Sequence, residues 1–386
     1  MKTVLLAVSG SIAFYKAYEL LSLFKKEGFK VKVLLSQGAL KFGSKMSFEA
    51  LADSILCEDN ESWQNDKNHI AFSKNCDLVL FAPASVNSIN KLALGIADNL
   101  FIQSLIAASK IPLLIAPAAN TNMFLHFSTQ KSLELLEKNG AKIIYPVHKI
   151  LACKDEGVGA LAEVSKIFYE SKRMLLSEDF YKDKLVLVTG GGTKERIDEV
   201  RCISNFSSGK MAKAVADAFY FLGARVVFLS ASEFDAPYEI ELFESSSELE
   251  GLMNAYKDCD FLIMAAAVSD FVPELFKGKI KKNEYPQGLD LHLKRNKDLL
   301  KNYKIKGKKI GFKMEFDKKN AFKNAKNMLE EKELDMVCLN VLDDDKKVFG
   351  SDFNELCFIS KKESIENVSA SKKELAFMLA RLCKEI

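Results

Sequence analysis

No run in this chain approaches the ~18 consecutive apolar residues of a membrane-spanning helix, so no membrane is expected as partner. Charge of one sign is also lacking. The 55 Lys+Arg against 52 Asp+Glu leave a net +3, too small a field to make nucleic acid or a membrane surface the expected ligand. The eight cysteines, at 57, 76, 153, 202, 259, 338, 357 and 383, form no CxxC pair and no regular spacing. This argues against a disulfide framework and a zinc site, and metal ligands stay unassigned. Most of them lie in or beside apolar segments, where cysteine serves as a small core residue. The standard phosphate loops are missing too. Residues 8–13, Val-Ser-Gly-Ser-Ile-Ala, lack the glycine spacing of a dinucleotide fingerprint. Residues 204–211 fail the P-loop, because Ser204 stands where its first glycine belongs and Met211 where Ser or Thr is needed. The apolar run at 3–8 is only about six residues and leads into a polar turn, so it reads as a core strand and not a signal peptide. A reduced, cytoplasmic protein is the expectation.

What is present is an ordinary globular composition, 48% hydrophobic and 28% charged, over 386 residues. That length suggests two domains at about 150 residues each. Two buried strands, at 4–8 and from 185, each run into small residues and then a helix. In the first half the apolar strands 3–8, 30–35, 78–82, 113–116 and 142–145 alternate with helical stretches at 12–27, 86–94, 98–109, 129–138 and 163–178. Such alternation means a parallel sheet covered on both faces. The second half repeats the rhythm with strands at 185–189, 225–230, 261–265, 309–315, 336–340 and 355–359, and helices at 209–222, 247–257, 318–331 and 371–384. A polar joint at 177–183 separates the halves, giving domains 1–178 and 183–386. The fold class is therefore α/β with two doubly wound domains.

Ligands in such sheets bind beyond the carboxyl ends of the strands. In the first half those ends carry Ser9-Gly10-Ser11, Ser36, Pro83-Ala84-Ser85 with Asn87 after it, and Pro117-Ala118-Ala119-Asn120. Gly10-Ser11 before a helix can offer free N–H groups to a phosphate, although a tight turn explains the glycine equally well. In the second half, the 19 residues 190–208 make an excursion of a length usually reserved for function. Between 277 and 309 there are 12 Lys/Arg against three acids, a local excess of +9. A solvated lysine-rich face is the competing explanation.

Two motif sets carry a resemblance. His69-Ile-Ala-Phe, Pro83-Ala-Ser-Val-Asn87, Gly95-Ile-Ala-Asp-Asn99, Pro117-Ala-Ala-Asn120 and the flap 151–157 with Cys153 resemble the flavin-dependent cysteine decarboxylases. Thr189-Gly-Gly-Gly-Thr-Lys-Glu-Arg-Ile-Asp198, Arg201, the stretch 203–211, Ala265-Ala-Ala-Val-Ser-Asp270, Lys279-Ile-Lys-Lys282, Asn296-Lys-Asp298, Phe312, Glu315 and Asn340 resemble the phosphopantothenate–cysteine ligases. Their order resembles the bifunctional decarboxylase/ligase family of bacterial coenzyme A synthesis, over essentially the whole chain. Departures from the family pattern are Ala119 for Met, Lys154 for a flap glycine, Ala160-Leu161 for Arg-Met, Lys313-Met314 and Phe316 around Glu315, and Met328 where a lysine is usual.

The resemblance implies a flavodoxin-like N-terminal flavoprotein domain and a Rossmann-like ligase domain. It implies FMN held by Gly10, Ser11, Ser36, Ser85 and Asn87. Substrate thiol oxidation would let carbon dioxide leave, with His69 assisting, Asn120 binding the carboxylate and Cys153 donating the final proton. It implies CTP as co-substrate with Mg²⁺ between its phosphates, an acyl-cytidylate of 4'-phosphopantothenate, and displacement of CMP by cysteine. Asp270, Lys279, Asn296, Lys297, Asp298, Leu299, Leu300, Phe312 and Lys332 would surround CTP, and Asn205 would bind the acyl-phosphate. A homo-oligomer, up to a dodecamer of flavin-domain trimers and ligase-domain dimers, is implied as well. Two other readings compete: a flavin prenyltransferase or lantibiotic-type decarboxylase, against which the ligase-like half argues, and a regulatory protein-binding relative, against which His69, Asn120 and Cys153 argue.

Overall fold

The computed structural model describes residues 1–151, 154–342 and 351–386, and Cys153 lies outside them. The chain divides into two compact units, Met1–Leu176 and Ser177–Ile386.

The first unit is built on six parallel strands: β1 (Thr3–Val8), β2 (Lys30–Leu35), β3 (Ser54–Leu56), β4 (Leu78–Ala84), β5 (Leu113–Pro117) and β6 (Lys142–Ile143). Every residue of β1 is buried, as a strand covered on both faces requires. The two-residue period then sorts its side chains. Val4, Leu6 and Val8 join a core with Leu20, Leu21 and Phe24 of the helix Lys16–Lys26 and with Ile167 and Phe168 of the helix Val164–Leu176. Leu5 and Ala7 join the opposite core with Ile89 of the helix Val86–Leu94 and with Phe101 and Leu105 of the helix Leu100–Ala107.

The spatial order is β3-β2-β1-β4-β5-β6. This is the doubly wound order 3-2-1-4-5-6, which differs from the flavodoxin order 2-1-3-4-5 by one more strand at the β2 edge. The reason is β3: only three residues long, it carries no periodic signal in the sequence, yet it adds a strand beyond β2 before the chain crosses back. The switch point lies between β1 and β4. An antiparallel hairpin, β7 (Val147–Ile150) and β8 (Glu156–Ala160), follows the sheet and was not foreseen.

The second unit has an eight-stranded sheet. Its long loop after β9 (Leu185–Gly190) folds as a hairpin, β10 (Lys194–Arg196) with β11 (Cys202–Ser204). Then come β12 (Arg225–Ser230), β13 (Glu239–Leu242) and β14 (Phe261–Met264), and a second small hairpin, β15 (Phe271–Pro273) with β16 (Leu293–Arg295). The last strands are β17 (Lys308–Glu315), β18 (Met336–Val341), β19 (Phe353–Ser360) and β20 (Ser364–Ser371). The order is β13-β12-β9-β14-β17-β18-β19-β20. Pairing is parallel as far as β18, but β18–β19 and β19–β20 are antiparallel. Only residues 361–363 join β19 to β20, a connection long enough for a hairpin and too short for a parallel crossover. No helix of the described residues is long and apolar enough to cross a membrane.

Candidate functional site

At the carboxyl ends of β1, β2, β4 and β5 the first unit holds a cavity of about 840 Å³, within the usual size of a cofactor site. Gly10, Ser11, Ser36, Ser85, Asn87 and Asn120 all line it. Four of them start helical turns, Ser11, Ser36, Ser85 and Asn120, and all but Ser85 cap with the side chain. Ser11 accepts the N–H of Ala13 at 3.2 Å, Ser36 that of Ala39 at 3.1 Å, and Asn120 that of Asn122 at 2.9 Å. Such caps leave neighbouring N–H groups turned towards the cavity end of the sheet, which suits an anionic ligand. Gly10 is required by packing. A Cβ there would lie 2.9 Å from the Gly38 carbonyl, so the two loops that form this wall touch backbone to backbone.

Ser9, placed by the sequence at the strand end with Gly10 and Ser11, has a structural task that the sequence did not assign. Its fully buried hydroxyl donates to the Pro83 carbonyl at 2.9 Å and accepts the Ser85 N–H at 2.7 Å, pinning β1 to β4 across the switch point. The signal available was a polar residue at the end of an unbroken apolar run. The flap hairpin is held to the Asn120 loop by Ala119 N–H donating to the Gly159 carbonyl at 2.9 Å. Lys154, at a usual glycine position of the flap, adopts a left-handed φ of 69°, the conformation that favours glycine.

His69 does not join this group. It opens the helix His69–Ser73 behind the cap Asn68, packs edge-on to Trp63 at 5.5 Å, and has Nδ1 3.5 Å from Glu61 without a hydrogen bond. It is absent from the lining of its own chain's cavity. Cys153 lies outside the described residues.

In the second unit the Asn205 loop meets the segment that follows β14. Asn205 follows β11, and its amide donates to the Val268 carbonyl at 3.2 Å beyond β14. A Cβ on Gly192 would strike the Asn205 carbonyl, so the glycine run after β9 lets this loop settle. Asp270 is exposed, and its carbonyl accepts the Asn296 N–H at 2.7 Å. The Asn296 side chain is occupied within the protein. Its Nδ2 donates to Ser246 Oγ at 3.0 Å and to the Ser269 carbonyl at 2.8 Å, while its Oδ1 accepts the Lys297 N–H at 2.8 Å. It therefore arranges the 296–298 turn, with both Nδ2 hydrogens used within the protein.

Asp298 caps the turn Leu299–Asn302 and pairs with Lys332 at 2.9 Å. Burial would raise its pKa, but the Lys301 N–H and Lys332 together hold it below the ordinary value. Leu299 and Leu300 are core side chains, only 6% and 5% exposed, so a ligand would meet their backbone. Gly311 gives way to Leu300, Leu334 and Met328, each of which a Cβ would meet at 2.9 Å; Phe312 is next to it on β17, half-buried. Met328, at a usual lysine position, thus packs inward. Lys279, Lys281 and Lys282 are exposed and form no ion pair with described residues. No group of three or more His, Cys, Asp or Glu among the described residues is arranged to hold a metal.

Residues 1–175 match the Flavoprotein family and residues 181–386 match the DNA/pantothenate metabolism flavoprotein C-terminal domain. The coenzyme A biosynthesis bifunctional protein CoaBC of Bacillus subtilis is 35% identical over 390 residues, spanning 98% of this chain and 93% of that protein. The chain belongs to the CoaBC family. CoaBC of Borreliella burgdorferi is 33% identical across 97% of both chains, and that of Methanocaldococcus jannaschii 34% identical across 100% of this chain and 94% of its own. Family membership thus extends over both units, and the order of the two modules is that of the CoaBC relatives.

Proposed function

We propose that this chain makes 4'-phosphopantetheine in two steps, one in each unit. The ligase unit joins cysteine to 4'-phosphopantothenate at the expense of CTP, and the flavin unit decarboxylates the product. The observation that carries this reading is the end-to-end match to bifunctional coenzyme A biosynthesis proteins, supported by the cavity at the carboxyl ends of the first sheet.

In the ligase unit a carboxylate must first be made reactive. Lys279, Lys281 and Lys282 lower the charge of the triphosphate as the substrate carboxylate attacks its α-phosphorus and pyrophosphate leaves. Asp270, the backbone of 297–300, Phe312 and Lys332 hold the nucleotide, and Asn296 keeps their loops in register. Asn205 holds the acyl-phosphate oxygens while the cysteine amine displaces CMP. Mg²⁺ would arrive with the nucleotide and would lower the charge of its phosphates, since this ion rarely relies on an all-protein cage.

In the flavin unit the residues present fit FMN. The cavity is large enough, its wall is bare backbone at Gly10 and Gly38, and Ser11, Ser36, Ser85 and Asn87 supply polar contacts. When bound, the flavin supplies the two-electron oxidation of the substrate thiol and its later reversal. Asn120 orients the carboxylate that is lost, and Cys153 returns a proton. His69 acts only if another copy brings it to the cavity, which accords with a homo-oligomer. Exposed apolar side chains on this unit, among them Ile12 (62%), Met46 (72%), Trp63 (68%) and Phe127 (67%), also favour self-association.

The test separates the steps. Asn205→Asp places a carboxylate against the acyl-phosphate oxygens and should abolish amide formation, while flavin content and decarboxylation of supplied phosphopantothenoylcysteine stay at wild-type levels. Normal ligation by this variant would refute the assignment of Asn205.

A further inference from the structure

Residues 274–292 connect β15 to β16 with a single short 3-10 turn, Lys282–Glu284, as regular structure. Neither sheet nor helix therefore fixes Lys279. The segment is instead attached to the turn of the β10–β11 hairpin. Phe276 N–H donates to the Ile197 carbonyl at 2.9 Å, and both backbone groups of Ile280 are taken by one acid–base pair. Ile280 N–H donates to Asp198 Oδ2 at 3.1 Å, and Arg201 Nη2 donates to the Ile280 carbonyl at 3.2 Å.

Resting on the ligase reading above, we propose that Asp198 is a positioning residue for the nucleotide lysines, clamping Ile280 so that Lys279 and Lys281 are presented from a fixed backbone. Asp198 is fully buried, a costly place for a carboxylate unless every lone pair is used. Here each oxygen has its own task. Oδ1 accepts the N–H groups of Val200 and Arg201, both at 2.7 Å, and shapes the hairpin turn. Oδ2 takes Ile280 N–H and the Arg201 guanidinium, and forms the tertiary clamp. Burial alone would raise the pKa, but these N–H donors and Arg201 outweigh it and hold the carboxyl at about 2, so it is charged throughout the working range.

This division of labour makes Asp198→Asn a selective cut. The amide oxygen can still accept from Val200 and Arg201, whereas the amide nitrogen offers no lone pair to Ile280. In the full-length enzyme, pyrophosphate release is measured against CTP concentration with phosphopantothenate saturating. The apparent KM for CTP should rise about tenfold, the scale of one lost charge-assisted hydrogen bond, with kcat changed much less. Trypsin should cut faster after Lys279, Lys281 and Lys282 and no faster elsewhere. Adding Lys279→Gln to Asp198→Asn should raise KM by less than it does in the wild type, because Asp198 acts through that lysine. Asp198→Ser keeps a short acceptor for the turn and carries the same expectations should the asparagine variant fail to fold. An unchanged KM with a merely lowered melting point, uniform proteolysis, or fully additive effects would overturn the proposal. No CTP-dependent pyrophosphate release by the wild type would instead overturn the ligase reading.

Discussion

The contact between Gly10 and Gly38 yields a prediction whose size follows from the coordinates. An alanine Cβ at position 10 would lie 2.9 Å from the Gly38 carbonyl carbon and oxygen and 3.1 Å from its Cα. All three are backbone atoms, so no rotamer relieves the overlap. The loops must part by about 0.5 Å, which forfeits roughly a quarter of each dispersion contact they share. Parting is resisted by the two hydrogen bonds of Ser9 to Pro83 and Ser85. Overpacking of this kind costs about 1–3 kcal/mol. For a unit of this size that is a fall of about 3–10 °C in thermal midpoint. The reverse change is mild. A Cβ at position 38 meets only contacts of 3.4–3.6 Å, ordinary van der Waals separations. Gly38→Ala should therefore melt within about 2 °C of wild type. Because both glycines line the cavity, FMN affinity is measured alongside, by fluorescence titration of flavin-stripped full-length protein. Gly10→Ala should bind FMN about 5–100-fold more weakly, and Gly38→Ala much less so. Two variants that cannot be told apart in melting or in FMN binding would refute the reasoning.

Further tests concern the ligase unit. Asn296→Ala removes three hydrogen bonds and strands the Ser246 hydroxyl and Ser269 carbonyl, a loss of about 2–3 kcal/mol that should suppress ligation while flavin content, read from visible absorbance, is unchanged. Asp198 also predicts an acid response. Its folded pKa of about 2 lies below the ordinary 3.8, so its stabilisation is complete above that ordinary value and is lost as pH falls through about 2. Circular dichroism between pH 4 and 2 should show this loss in the wild type and a flatter profile in Asp198→Asn.

The strong periodicities were legible. Unbroken apolar runs such as 3–8 and 185–189 became central strands, and the helices at 86–94 and 210–221 lie where their spacing puts them. What escaped were elements whose signal is shorter than one period. β3 and the β10–β11 and β15–β16 hairpins have three residues per strand, and their positions are decided by tertiary contacts such as Ile280 with Asp198. The strand-end cluster from Gly10 to Asn120 could be found because ligand sites in parallel sheets collect at one edge. The tasks of Ser9 and Asp198 could not be ranked, because the partners that reveal them, Pro83 and Ile280, lie 74 and 82 positions away. Asn296 was selected as a nucleotide contact, and the tie of its Nδ2 to Ser246 and Ser269 could not be read from spacing. His69 was grouped with residues that the single chain does not bring to it.

The most direct test of the account is one reaction with the purified full-length protein, FMN, Mg²⁺, CTP, 4'-phosphopantothenate and cysteine, followed by mass spectrometry. The account predicts 4'-phosphopantetheine, one pyrophosphate and one carbon dioxide per turnover, with phosphopantothenoylcysteine accumulating when flavin is removed and nothing forming when CTP is withheld. Phosphopantothenoylcysteine that persists with flavin bound, or product that forms without any nucleotide, would contradict it.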